Sequence, residues 1–352
     1  MLRVSLKPKE SDKLIPLFGG FCFFLSAIEL MIPKPVPFFR IGLANLPLLL
    51  GIDIFSFPAF CALLFIKVLG QAIISGTLFS YVFLFSLLGT FGAGLLMYSM
   101  RGIPRKAVSF IGISIAGAFL SNSVQTVLAI LFIFGKSERY IIPPLFFAGI
   151  ITSFFLGLFA NEFTQNSSWY ENIINGKFKI SFLHDYGDSY SRKSETKKLL
   201  PFNEKYLRCG SGIVLFLLLL FTDFLAVKTI VFGASLILCT ADRQKINFTN
   251  LIVMFIVIII FNLFPPAGKI VFSIFGFEIT SEALLRGIEK AVILEGMIYI
   301  SKWALNTEFN FKSKFGKTVS ASLNVFQKLL SVKNEINPKN LIPTLDAILL
   351  SM

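Results

Sequence analysis

The chain has 352 residues, of which 55% are hydrophobic and 15% are charged, and its formal net charge is +13. Soluble domains carry about 25% charged residues, so this composition excludes an ordinary soluble protein. Several apolar runs approach the ~20 residues that cross a bilayer, and they predict an all-α, polytopic membrane protein. Because Lys and Arg cluster beside these runs, where such residues set topology and contact anionic lipid, we predict a lipid-bilayer partner and no nucleic acid.

The first block of the chain, residues 1–161, contains six predicted spans. They lie near residues 14–33, 41–56, 58–79, 80–100, 107–133 and 140–160. Basic residues in the N-terminal segment and in the loop 101–106 assign both segments to the cytoplasm by the positive-inside rule. With six spans the two assignments agree, so both ends of this block are predicted to face the cytoplasm.

A polar segment, residues 162–208, separates the first block from a second block, residues 209–352, and we predict that it is a cytoplasmic linker. The second block contains four predicted spans, near residues 210–223, 225–240, 250–264 and 282–304. Beyond them, one helix face is predicted from the spacing of Val319, Leu323, Phe326 and Leu330. This tail helix either lies at the inner membrane surface or packs against the helix bundle.

Polar side chains interrupt four spans of the first block at overlapping depths. At a rise of about 1.5 Å per residue, they all fall in the outer half of the bilayer. An ionisable side chain in hydrocarbon is costly and therefore a candidate for function, whereas a single amide commonly joins two helices. We predict one solute pocket open to the outer face, with a network of structural contacts as the alternative. The predicted pocket residues are Glu29, Arg40, Asn45, Lys67, Gln71, Asn122 and Gln125.

No catalytic or metal-binding pattern accompanies this pocket. The chain has a single histidine, His184, and its four cysteines lack metal-ligand spacing. Its aspartates do not form the DDxxD cluster that could hold magnesium against a diphosphate. We therefore predict no catalytic residue, no metal site, no cofactor and no enzymatic activity in this chain.

Four segments of the first block resemble the Gx transporter family, which carries the label heptaprenyl diphosphate synthase component I. They are ELMIPKPVPFFRIGLANL (29–46), KVLGQAIISGTLFS (67–80), SLLGTFGAGLLMYSM (86–100) and ISIAGAFLSNSVQTVLA (113–129). The family is similar to the substrate-binding S components of energy-coupling factor (ECF) transporters, which are six-helix bundles. The resemblance implies a polar signature consisting of Glu29, Asn45, Lys67, Gln71 and Asn122. It also implies docking through small residues of the first helix, here Gly19, Gly20 and Ala27, with Phe23 between them.

The second block more faintly resembles the transmembrane T component of the same transporters. The matching segments are FNLF (261–264), FEITSEALLRGIEKAVIL (277–294) and FQKLLSVK (326–333), in the same order and spacing. Together the two resemblances imply a six-helix S-component-like bundle joined to a smaller, T-like helical membrane module.

Three functions remain open at this point. The first is a transport component that takes up a small anionic or zwitterionic solute, because Arg40 and Lys67 are both predicted in the pocket; ATPase and T subunits are its implied partners. The second is a membrane accessory subunit of a heptaprenyl diphosphate synthase, and the third is a non-transporting membrane scaffold. The predicted location is the bacterial cytoplasmic (inner) membrane, multi-pass, with both termini in the cytoplasm.

Overall fold

The computed structural model describes residues 12–31, 42–134, 142–176, 202–244, 246–264, 268–274, 277–304, 314–332 and 340–351. Almost all of these residues are helical, and by length and composition four of the helices could each cross a membrane. The prediction of an all-α, multi-pass membrane protein is therefore confirmed. The division into domains at residues 161 and 208 stays a prediction.

The first block consists of long apolar helices with short connections. Its helices are α1 (Ile15–Met31), α2 (Leu46–Gly51), α3 (Phe57–Ser75), α4 (Tyr81–Ser99), α5 (Phe110–Ala129), α6 (Ile142–Asn166) and α7 (Ser168–Ile174). The four that meet the criteria for a membrane span are α3 to α6. A 3₁₀ turn, Leu43–Asn45, leads into α2, and a π-helical turn, Ile130–Phe134, extends α5.

The second predicted span, 41–56, is shorter than expected. Helix α2 has six residues, a rise of about 9 Å, and therefore cannot cross a bilayer as a helix. It ends at Gly51, whose carbonyl accepts from the backbone N–H groups of Ile54 and Phe55 at 3.1 and 3.0 Å. The turn that follows is held by the basic loop, because Arg105 donates to both carboxylate oxygens of Asp53 at 2.7 Å.

The polar segment after the first block begins later than predicted. Helix α6 continues to Asn166, and α7 then packs Trp169, Tyr170 and Ile173 into the core of the first block. These residues form an apolar helix face within a polar stretch of sequence, so the segment is folded against the block where a solvated linker was expected. Residues 177–201, which include most of the predicted linker, lie outside the described residues.

The second block contains mostly shorter helices and one hairpin. Its elements are α8 (Phe202–Phe221), α9 (Leu225–Ala241), α10 (Phe248–Asn262), β1 (Ile270–Ile274), β2 (Phe277–Thr280), α11 (Ser281–Ala304), α12 (Lys314–Ser331) and α13 (Leu341–Ser351). Strands β1 and β2 pair in an antiparallel hairpin that leads directly into α11.

Helix α11 is the centre of the second block and contacts α8, α9 and α10. Its sequence contains the charged residues Glu282, Arg286, Glu289, Lys290, Glu295 and Lys302. It is absent from the helices that qualify as membrane spans, whereas α8, α9 and α10 are apolar and expose large aliphatic side chains on their outer faces. The predicted span 282–304 is thus a charged helix shielded by three apolar ones.

Helix α12 packs against α1, which decides between the two predicted positions of the tail helix in favour of the bundle. The close approach depends on Gly19 and Gly20, where an added Cβ would lie 2.5 Å from Ser322 Oγ and from the Val325 side chain respectively. The buried face is rotated from the predicted one: Ser322 is buried and Leu330 is exposed. Phe23 does not prevent docking, because its ring packs edge-on against Phe326.

The contact between the two blocks disagrees with the predicted sidedness. That prediction puts the turn between α3 and α4 outside the cell and the end of α11 inside it. In the structure the N–H of Phe79, in that turn, donates to Ser301 Oγ at 3.1 Å, and a Cβ on Gly76 would lie 2.4 Å from Lys302 Cγ. The two blocks therefore cannot both span one bilayer in their predicted orientations.

Candidate functional site

The ammonium group of Lys67 is held inside the first block. The residue lies in the middle of α3 and is 4% exposed. Its Nζ donates to Asn45 Oδ1 at 2.5 Å and to Thr90 Oγ1 at 3.2 Å, which joins α3 to the start of α2 and to α4. An ionisable group at this depth needs such partners, since an unpartnered charge in hydrocarbon is costly.

Glu29 and Gln71 extend the same polar network toward α1. Glu29 is buried near the end of α1, and its Oε2 accepts from the backbone N–H of Gly42 at 3.2 Å. Gly42 has φ +88°, a left-handed conformation that glycine adopts without a steric cost. Gln71 lies one helical turn after Lys67 on α3, and its Nε2 donates to Ser26 Oγ at 2.7 Å.

A cavity of about 30 Å³ lies beside this network, between the start of α2 and helices α4, α5 and α6. This volume accommodates about two water molecules. Its lining includes Asn45, Asn122 and Gln125, together with neutral hydroxyl-bearing and apolar residues, and no charged side chain. Asn45 therefore lines the cavity while it accepts the hydrogen bond from Lys67.

The two amides on α5 are fixed by different partners. Asn122 Nδ2 donates to the Leu145 carbonyl of α6 at 3.3 Å, and Gln125 Nε2 donates to Ser121 Oγ at 2.9 Å. Gln125 Oε1 is buried and has no hydrogen-bond partner. A buried carbonyl oxygen without a donor is costly, so this atom favours a water molecule or a solute with an O–H or N–H group in the cavity.

Close packing of α5 and α6 keeps the cavity small. A Cβ on Gly149 of α6 would lie 2.2 Å from Asn122 Nδ2, so a larger residue there would displace this amide. On the other side, a Cβ on Gly117 would lie 2.7 Å from the Met97 side chain. A solute larger than two water molecules therefore requires one of these walls to move.

The structure thus divides the predicted pocket residues into two adjoining groups. Glu29, Lys67 and Gln71 belong to the buried network, whereas Asn122 and Gln125 line the cavity. Asn45 belongs to both groups. Arg40 lies outside the described residues. That these residues bind a solute together stays a prediction.

Sequence reasoning missed the hydroxyl partners in this network. Ser26 and Thr90 lie in apolar helices, where a hydroxyl usually bonds to its own helix backbone and attracts no notice. Ser26 does donate to the Cys22 carbonyl at 2.7 Å, but its oxygen also accepts from Gln71. The available signal was spacing, because Ser26 lies three residues before Glu29 and shares its helix face.

Among the described side chains, no group of three or more His, Cys, Asp or Glu residues could hold a metal ion. The arrangement that is present consists of one buried ammonium group, one buried carboxyl and several amides and hydroxyls. Such groups bind a small polar molecule by hydrogen bonds and charge, which is the chemistry of recognition.

Residues 18–163 match the family model described as heptaprenyl diphosphate synthase component I. The family label predicted from the sequence is confirmed for this block. The match covers α3 to α5 and most of α1 and α6, and so contains the whole network and cavity. The likeness to ECF transporter S and T components is not part of this finding and stays a prediction.

Residues 204–307 match a second family model, described as a domain of unknown function (DUF8519). This match covers most of α8 and all of α9, α10, the hairpin and α11, and it ends before α12. No curated protein and no solved structure matches the chain.

Proposed function

We propose that the chain is the solute-binding component of a membrane uptake system and that it takes a small anionic or zwitterionic solute. The observation that carries this proposal is the contact between Lys67 and Asn45. A buried ammonium group, 2.5 Å from an amide that lines a polar cavity, provides positive charge next to a space that a solute could enter. A carboxylate would find Asn45, Asn122 and Lys67 within one region, and Glu29 would balance or bind an amine.

The source of energy for uptake is part of the same proposal. We infer that separate ATPase subunits attach to the chain if uptake is active, as the resemblance to ECF transporters implies. The protein is multi-pass and its apolar helices lie in a lipid bilayer, so a partner ATPase would bind at a membrane surface.

Native mass spectrometry of the gently purified chain tests the proposal, because it reports bound small molecules and partner subunits together. Lys67→Met should remove the co-purifying solute or weaken its binding by about tenfold to a hundredfold, since a lost charged hydrogen bond costs about 1.5–3 kcal/mol. Lys106→Met is the matched control, because Lys106 is exposed in the basic loop. A wild-type protein that carries no small molecule, or equal occupancy in both variants, would contradict a solute site at Lys67.

A second candidate function is an accessory subunit of a prenyl diphosphate synthase. The observation in its favour is the description of the matching family, which names a heptaprenyl diphosphate synthase component. Under this proposal the same mass spectra should contain a soluble prenyl transferase partner, and the purified single chain should not elongate an allylic diphosphate. Turnover by the single chain would overturn our prediction that it is not an enzyme.

A further inference from the structure

The second block contains a buried carboxyl that the proposed solute site does not involve. Glu295 lies in the middle of α11 and is 4% exposed. The helix is enclosed by α8, α9 and α10, whose outer faces are apolar. Next to it on α11, Leu294 and Gly296 pack against apolar neighbours, with the Leu219 side chain 2.6 Å from a Cβ built on Gly296. The side chain of Glu295 is therefore largely shielded from water.

Of the positive charges near Glu295, Lys302 acts on the carboxyl only through space, without an ion pair, and the others are engaged elsewhere or point away from it. Lys302 is two helical turns further along α11, and its ammonium group lies 4.9 Å from the centre of the Tyr299 ring. Lys228 of α9 forms an ion pair with Glu289. Lys290 is five residues back along the helix, so it is rotated by about 140° from Glu295. In the described part of the chain, no hydrogen bond or ion pair reaches the Glu295 carboxyl.

The described elements that pack around α11 contribute few other charges. Helix α10 has no titratable residue within Phe248–Asn262, and α4 contributes Tyr81. At the far end of α8 and α9, Arg208 donates to Asp242 at 2.8 Å and is thereby paired. The remaining described titratable groups on these helices are Cys209, Cys239, Glu282 and Arg286. None of them supplies a cation to Glu295.

We propose that Glu295 is a proton-binding site at the centre of the second block. An ionised carboxylate in an apolar surrounding costs several kcal/mol unless a partner neutralises it. Because no hydrogen bond or ion pair from the described residues neutralises the carboxylate, a proton taken up from water does so. Loss and gain of this proton change the charge inside the block by one unit, which gives the block a means to couple proton binding to movement. The inference is independent of the solute site in the first block.

Dicyclohexylcarbodiimide tests the proposal on the full-length protein in lipid vesicles. The reagent enters apolar regions and reacts with protonated carboxyls: the acid proton moves to a carbodiimide nitrogen and the carboxylate oxygen bonds to the central carbon. The adduct then rearranges to a stable N-acylurea. Peptide mass spectrometry should find this adduct on Glu295, more at pH 6 than at pH 9, with a fall of about tenfold per pH unit once the carboxyl ionises.

Glu282 is the matched control, because it lies on the same helix and is exposed. Glu282→Gln should leave the labelling at Glu295 unchanged, Glu295→Gln should abolish it, and Glu295→Asp should retain part of it. Labelling of the wild-type protein does not depend on whether a variant folds. Absence of the adduct at every pH would overturn the proposal. Protection by sodium at constant pH would also overturn it, because the site would then bind a cation.

Discussion

In the first block, the buried polar side chains come from several helical segments and meet between them, whereas in the second block most of the charged ones lie along the single helix α11. Each long helix of the first block contains few charged residues, so its composition is compatible with a membrane span. Helix α11 carries six charged residues and depends on its three apolar neighbours. The comparison teaches that a membrane protein can distribute its polar groups over many spans or concentrate them in one shielded helix.

The shielded arrangement predicts a large effect when a buried charge loses its partner. Lys228 and Glu289 join α9 to α11, and their side chains are 6% and 36% exposed. Glu289→Gln leaves a buried ammonium group without an acid, which should cost about 3 kcal/mol or more. We expect a clear fall in the Tm of the purified protein in detergent.

Lys228→Met is the control for this prediction. It leaves the partly exposed carboxylate, which water can solvate, so the loss should be only about 1 kcal/mol. Equal losses in the two variants would mean that the second block does not shield its central helix from water.

The contact between the blocks can be broken at Gly20. A Cβ on Gly19 would lie 3.1 Å from Ser322 Cβ, so a disulfide, whose Cβ atoms lie about 3.5–4.5 Å apart, needs only a small outward shift of the two helices. In a background without the four native cysteines, Gly19→Cys with Ser322→Cys should therefore form a disulfide that shifts the protein on a non-reducing gel after cleavage between the blocks. Adding Gly20→Leu should abolish this cross-link, because the new side chain overlaps Val325 and overpacking costs about 1–3 kcal/mol.

Gly233→Leu provides the matched control for Gly20→Leu. Gly233 also lies within a helix, but a Cβ there would meet no atom within 4 Å. The cross-link should persist in this variant. Its loss in both variants would show that general destabilisation, and not the seating of α12 on α1, had separated the cysteines.

The smallest expected effect concerns the last helix, α13. Asp346 of α13 accepts a hydrogen bond from the backbone N–H of Trp169 at 2.9 Å and another from the Ser167 hydroxyl. Asp346→Ala removes these acceptors at the start of α7 and should cost about 1 kcal/mol, as the loss of a helix cap does. We expect faster proteolysis of α13, while the occupancy of the solute site stays unchanged. Thr344→Ala removes a hydrogen bond to the Asn340 carbonyl within the same segment and should leave proteolysis unchanged.

Sequence patterns predicted the long apolar helices of the first block well, because a run of about 20 apolar residues has few alternatives to a span. They failed at α2, where Pro47 and Gly51 bound a helix of six residues inside an apolar run. They also failed at α7, since Trp169 and Tyr170 stand in a polar stretch and show their burial only after folding. Hydropathy averages over a window, so short elements escape it.

The sequence predicted which ionisable residues belong to the candidate site, but it did not predict which side chains contact one another. Lys67 stands out because a lysine in a span is rare. Its partner Asn45 was selected for its depth and for the family resemblance, and the partner Thr90 was not selected at all. Helix rotation decides which side chains meet, and rotation depends on packing such as that of Gly149 against Asn122. Glu295 was overlooked although it lies in the predicted span 282–304, because it is one of six charged residues in that segment.

The hydrogen bonds between α7 and Asp346 join residues that lie 177 positions or more apart in the chain. During translation the first block is synthesised before Asp346 is added. The backbone N–H groups in the first turn of α7 must therefore be hydrated until α13 is present. Assembly accordingly has a fixed order: the first block is inserted, the second block follows, and α13 packs against α7 last. A ribosome stalled within the second block would leave the Trp169 backbone N–H without its acceptor on Asp346, while the Ser167 hydroxyl still caps the Tyr170 N–H.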